Sequence, residues 1–166
     1  MKATTAGRRN LMLAALAGGI GLAASPARAA ECGPGAAEGS ALLDRYVAAV
    51  NAHDTSSFPQ IFSEGYVQHS GRSPSGLAAQ VENFRGIFGR MPDVRLEIED
   101  RVIAGDRIAA RLAFHATHTQ PLQGIAPTGR RFVLRTLDFW RVENGRLAEH
   151  WDLVDVAGLQ RQLRGE

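Results

Sequence analysis

The hydrophobic period of this chain switches once, at Met91-Pro92, and that switch leaves few architectures open to it. Before it, apolar residues recur at helical spacing; after it, they alternate as in strands that bury one face. Ser40 reads as the N-cap of a first helix that carries Leu42, Leu43, Tyr46, Val47 and Val50 and ends near Asn51. A short helix capped by Thr55 or Ser56 would bury Phe58, Ile61 and Phe62, and after Gly65 the segment Tyr66-Val67-Gln68-His69 reads as extended. Ser73-Pro74 offers a cap and a first-turn proline to a third helix in which Leu77, Val81, Phe84 and Phe88 share one stripe. Beyond Pro92 come Val94, Leu96 and Ile98, then Val102 and Ile103, a turn at Gly105-Asp106, and the run Ile108, Ala110, Leu112, Phe114. A last hairpin spans Arg131 to Asp155, and a short amphipathic helix with Leu159 and Leu163 closes the chain. Helices gathered first and antiparallel strands after them predict an α+β fold, one curved antiparallel sheet packed on three N-terminal helices.

The last hairpin breaks its own pattern. Its strands read as apolar core except at Thr136/Asp138 and His150/Asp152, and ionisable groups in such places need partners or a purpose. Glu143-Asn144-Gly145 suits a three-residue loop with glycine in the left-handed position, which sets Val142 opposite Arg146. Counting back, Asp138 falls opposite His150 and Thr136 opposite Asp152. Alternation then puts all four on one face, with Phe132, Leu134, Trp140, Val154 and Val156. A few polar groups on an otherwise apolar concave surface make the usual lining of a ligand cavity. The other face would show Leu137, Phe139, Leu147, Trp151 and Leu153, more apolar surface than a soluble monomer leaves bare, which predicts a homodimer.

The N-terminus reads as an export signal and not as part of the fold. Lys2, Arg8 and Arg9 precede the apolar run Leu11 to Ala24, and Ala27-Arg28-Ala29 offers a small-x-small cleavage site. Residues 1–29 are therefore set apart, with 30–39 as a flexible lead and 40–164 as the domain. Gly7-Arg8-Arg9-Asn10-Leu11-Met12 resembles a twin-arginine signal; an ordinary Sec signal with two arginines is the other reading. The apolar run is shorter than the ~20 residues a membrane span needs, so no stable anchor is expected. The expected location is periplasmic or secreted. Removing the signal leaves 15 basic against 17 acidic residues, so the basic balance of the whole chain gives no argument for nucleic-acid binding. The single Cys32 excludes an internal disulfide, and no Cys/His spacing suits zinc.

Three segments together carry a family resemblance: Tyr66-Val67-Gln68-His69; Thr117-His118-Thr119 with Gly124-Ile125 and Pro127-Thr128-Gly129-Arg130-Arg131; and Asn144-Gly145-Arg146 through His150-Trp151-Asp152 to Gly158-Leu159. From Ser40 to Leu163 the chain resembles the SnoaL-like polyketide (ester) cyclases of the NTF2-like fold. The resemblance implies a cone-shaped cavity, no cofactor, and Asp152 as the acid/base of an aldol condensation. It also brings in His118 and His69 as cavity or carbonyl-binding residues. Where the antibiotic cyclases carry Gln-x-His on the penultimate strand, this chain carries Thr136 and Asp138, so their substrate contacts do not transfer.

The expectation is thus cofactor-free acid/base chemistry, of aldol, lyase or isomerase type, on a small apolar carbonyl compound. Asp152, His150 and Asp138 are the candidate catalytic residues, and His118, His69, Thr136, Tyr66 and Trp140 the candidate substrate-binding ones. Asp138 and His150 could equally be a satisfied buried pair, and Asp152 could simply pair with an arginine such as Arg135 or Arg161. No metal is expected, because the spacing selects no known coordination geometry. Two other functions stay open: a non-catalytic periplasmic binding protein, and an epoxide hydrolase or dehydratase of the same fold. The hydrolase pattern needs an arginine between the two aspartates, and Arg135 and Arg141 alternate onto the wrong face.

Overall fold

The computed structural model describes residues 35–166; the export signal read in residues 1–29 and Cys32 lie outside the described residues. Three helices come first, α1 (Ala36–Asn51), α2 (Phe58–Ile61) and α3 (Leu77–Arg90), with strand β1 (Phe62–Gln68) between the last two. Strands β2 (Arg95–Ala104), β3 (Arg107–Thr117), β4 (Arg131–Glu143) and β5 (Arg146–Val154) follow, and α4 (Val156–Arg164) closes the fold. The architecture is α+β, as the period switch implies.

The sheet order is β1-β5-β4-β3-β2. Strands β2 to β5 form the expected antiparallel meander, but β1 joins its edge parallel to β5, pairing Phe62 with Leu147 and Gln68 with His150. The sheet is therefore mixed, a feature the short Tyr66–His69 reading did not foresee. Its concave face packs on a core in which Tyr46 meets Phe62, Phe84 and Trp140 edge-on, at ring-centroid distances of 5.8, 5.9 and 6.0 Å. A second cluster, with Val94, Phe132, Leu159 and Leu163, seals one end beneath α4.

Two helix starts differ from the sequence reading. α1 begins at Ala36, not at Ser40, after Gly35 in a left-handed conformation (φ 105°), so residues 36–39 are helical and not a lead. Gly39, placed by the sequence reading at the end of that lead, lies where a Cβ would stand 2.7 Å from Ile103 Cγ2, so its lack of a side chain lets α1 lie close against β2. α3 begins at Leu77, because Ser73-Pro74 is held in a turn that folds back on β1. The Gly76 amide donates to Tyr66 O (2.6 Å) and the Gln68 amide to Ser75 Oγ (3.0 Å).

The hairpin β4–β5 turns through two residues, not three. Asn144 (φ 49°) and Gly145 (φ 72°) have the paired positive φ values of a type I′ turn, and Glu143 lies opposite Arg146. Farther along, Val142 pairs with Leu147 but Arg141 with Glu149, so Ala148 is an extra, bulged residue and Leu147 turns into the core instead of onto the outer face. The tighter turn and the bulge each displace the register by one. Beyond the bulge their sum is two, which changes every partner there and preserves every face. Asp138 thus lies opposite Asp152, Trp140 opposite His150, and Thr136 opposite Val154.

Candidate active site

Between the concave sheet and helices α1 and α3 lies a cavity of about 380 Å³. Its walls include Tyr46, Gln80, Phe84, Phe114 and Leu134, and its floor carries Thr136, Asp138, His150 and Asp152. Strand alternation accounts for the floor, since positions 136 and 138 of β4 and 150 and 152 of β5 point to one side.

Hydrogen bonding sorts the four polar residues into two kinds. Asp138 is 5% exposed and has both carboxylate oxygens engaged: Oδ1 accepts from His150 Nε2 (2.8 Å) and Oδ2 from the Thr136 hydroxyl. Gln68 fixes the state of the imidazole. Its Oε1 accepts from the Ser70 amide (3.2 Å), which turns its NH2 toward His150 Nδ1 (2.9 Å), so Nδ1 accepts and the proton sits on Nε2, facing Asp138. The ring also stacks on Trp140, with centroids 4.9 Å apart and planes 7° from parallel. His150, Asp138 and Thr136 therefore form a closed, satisfied network.

Asp152 differs. Its Oδ2 meets the guanidinium of Arg72, while Oδ1 is buried without a hydrogen-bond partner among the described residues. It is the cavity's one carboxylate with an oxygen that no protein group occupies. Tyr46 adds a donor in reserve, since burial, then the negative charge of Asp138 and the neighbouring Tyr66, push its phenol well above the usual range and keep its proton on.

Four of the sequence candidates lie elsewhere. His69 points out of the sheet, stacked on Trp151 (4.3 Å) and bonded to Glu149 (2.8 Å), because β1 alternates and it is Gln68 that shares the inner face with Tyr66. His118 is buried in the β3–β4 loop, where its Nδ1 meets the Thr128 hydroxyl (2.9 Å) and amide. It fastens the loop and does not line the cavity. Trp140 lies behind His150, and Tyr66 is fully buried against Phe62 and the same histidine, so both support the site from the core and neither contacts its space. Arg72 went unread because it belongs to the turn between β1 and α3, where no local pattern announces a contact to β5. The arginines weighed in its place, Arg135 and Arg141, pair outward with Glu99 and Glu149.

Asp138, His150 and Asp152 place potential ligand atoms within 4.8 Å of one another, close enough for a cation by distance alone. Their chemistry argues for a different use: His150 Nε2 is a donor committed to Asp138, and Arg72 already neutralises Asp152. A metal would have to displace both.

The family model for SnoaL-like polyketide cyclase matches residues 40–163. The chain belongs to the SnoaL-like polyketide cyclase family. Among SnoaL-like relatives, an aklanonic acid methyl ester cyclase of Streptomyces peucetius is 29% identical over 129 residues, covering 74% of this chain and 88% of that one. A nogalonic acid methyl ester cyclase of Streptomyces nogalater is 34% identical over 98 residues, covering 57% and 68%. The solved structure of TsrD from Streptomyces laurentii superposes with a TM-score of 0.71 at 30% identity, covering 76% of this chain and 95% of that one. The curved five-stranded sheet over helices is that of SnoaL-like, NTF2-like proteins, and the two curated relatives are named as cyclases.

Proposed function

We propose that this protein is a cofactor-free acid/base enzyme that closes a ring by intramolecular aldol condensation, with Asp152 as the base. The observation that carries this is the unpartnered Oδ1 of Asp152 inside the cavity, beside a guanidinium. Asp152 Oδ1 would remove a proton from a carbon between two carbonyls, and the enolate oxygen would lie near the cation of Arg72 and the phenol of Tyr46. The enolate carbon then bonds to the carbon of a third, remote carbonyl of the same molecule, and the resulting alkoxide takes back the proton from Asp152. No atom is lost and no oxidant is needed. Asp138 and His150 act as supports that hold the floor in place, Gln68 fixing the histidine tautomer. The export signal read in residues 1–29 would put this reaction in the periplasm or outside the cell, on a compound met there.

An Asp152→Asn variant that melts like the wild type should lose turnover of a substrate with a 1,3-dicarbonyl and a remote ketone. Full turnover by that variant would end the assignment.

Arg72 gives a second reading some support. An aspartate–arginine–aspartate set activating water on an epoxide needs an arginine on the inner face, and Arg72 arrives there from its loop. Its partner Asp138, however, already has both oxygens occupied. Incorporation of labelled oxygen from water into a diol product would favour this reading over ring closure. Tight retention of a co-purified ligand with no product would instead favour a binding protein.

A further inference from the structure

The roof of the cavity holds a polar group that the ring closure above does not use. Gln80, in the first turn of α3, is 4% exposed and lines the cavity, yet its Oε1 has no hydrogen-bond partner among the described residues. Asn83, Phe84, Ile87 and Arg90 follow it at helical spacing and line the same space, so the face that α3 turns to the cavity carries polar groups among its apolar ones. On the floor, Asp138 by contrast has both oxygens satisfied from within the protein. A leucine or methionine in place of Gln80 would fill the same volume in a helix equally well and would leave no carbonyl desolvated and unpaired. A glutamine is useful there if something entering the cavity donates to it.

We propose that Gln80 is a substrate-binding residue whose carbonyl accepts a hydrogen bond from a hydroxyl or enol of the ligand. The cavity then takes an oxygenated ring compound polar at both ends, its reacting carbonyls at Asp152 and a hydroxyl at the roof, and not a compound apolar beyond its carbonyl. This rests on reading the cavity as the substrate site, and it proposes a more polar ligand than the apolar one expected from the sequence. A volume of about 380 Å³ falls in the ~300–1,000 Å³ range of small-molecule sites and suits a few fused rings.

The test compares binding of 2-hydroxyanthraquinone and anthraquinone, which differ only by one hydroxyl, to wild type, Gln80→Leu and Asp152→Asn, followed by titration calorimetry. Wild type should prefer the hydroxylated probe about tenfold, the worth of one hydrogen bond to a buried acceptor. Gln80→Leu should lose that preference while holding anthraquinone at least as well, which also shows that it is folded. Asp152→Asn should keep it. A wild type without preference, or a preference that survives Gln80→Leu, overturns the proposal. So does one that disappears in Asp152→Asn instead. If Gln80→Leu binds neither probe and melts early, Gln80→Met replaces it under the same criteria. Because the readout is binding, failure here leaves the role of Asp152, read from turnover, standing or falling separately.

Discussion

Replacing His150 with leucine decides whether Asp138 and His150 are a working dyad or a support. The two are 5% and 7% exposed and joined at 2.8 Å, so His150→Leu leaves a buried carboxylate with only the Thr136 hydroxyl for company. Breaking a buried pair in this one-sided way costs ~3–5 kcal/mol. The lost stack on Trp140, ~0.5–1.5 kcal/mol, is partly returned by leucine's own burial. At roughly 3–4 °C per kcal/mol for a domain of this size, the melting temperature should fall by about 10–20 °C. The double variant Asp138→Leu/His150→Leu removes the carboxylate and its donor together and should cost only ~0–2 kcal/mol, with the orphaned Thr136 hydroxyl the main residue of damage. Urea titrations at pH 7 on wild type, both single leucine variants and the double would therefore show a coupling of about 2–4 kcal/mol. Single effects that add to within ~0.5 kcal/mol would refute the closed network. The functional corollary is measured separately: Asp138→Asn, which keeps the shape and the bond from His150 and reverses the one with the Thr136 hydroxyl, should reduce turnover by less than about tenfold, whereas Asp152→Asn should reduce it by ~10²–10⁴.

Arg72→Leu should fold normally, since the side chain is 44% exposed, and should lower kcat by about 10²–10³ with a smaller change in KM, as expected for a cation facing developing enolate charge. An unchanged kcat in steady-state kinetics would remove Arg72 from the mechanism. Arg141, and after it His69, hold the Glu149 carboxyl below its ordinary range. A folded value below the unfolded one stabilises above the unfolded pKa and is lost as pH falls through the folded value, so wild type should lose more stability than Glu149→Gln below about pH 4.3. Parallel slopes in melting curves from pH 6 to 3 would contradict this. On the outer face Leu137, Phe139, Trp151 and Leu153 are 55, 40, 37 and 73% exposed, and we expect a second copy to cover them. Leu153→Glu should then shift sedimentation from dimer to monomer at micromolar concentration, and a wild type that sediments as a monomer would rule the dimer out.

The polar face of the hairpin was legible in the sequence because alternation is insensitive to a shift of two. The partners across the strands were not, since they depend on a turn one residue tighter and on a bulge whose local trace is the consecutive buried pair Leu147-Ala148. The alternation that placed the hairpin residues could also have chosen Gln68 over His69, as it shares parity with Tyr66. Arg72 and Gln80 lay outside that reach. Arg72 works through a loop folded back by backbone bonds at Gly76 and Ser75, and Gln80 sits beside an apolar stripe where a polar residue usually marks the solvent edge. The lead assigned to residues 30–39 failed for a related reason: Gly39 has its value in the approach of a strand distant in sequence, which no local pattern shows.

The bulge at Ala148 also bears on how chain length and site geometry relate in this hairpin. Without Ala148, Leu147 would still face Val142, and Glu149, His150 and Asp152 would still alternate out, in and in from a regular ladder. The strand carries one spare residue between its turn and its carboxylate. A single deletion there should leave Asp152 facing its cavity, whereas one placed between His150 and Asp152 would turn that carboxylate out toward solvent. A one-residue gap at position 148 in a comparison of sequences thus marks slack in the strand, and the same gap two or three positions later marks a different enzyme.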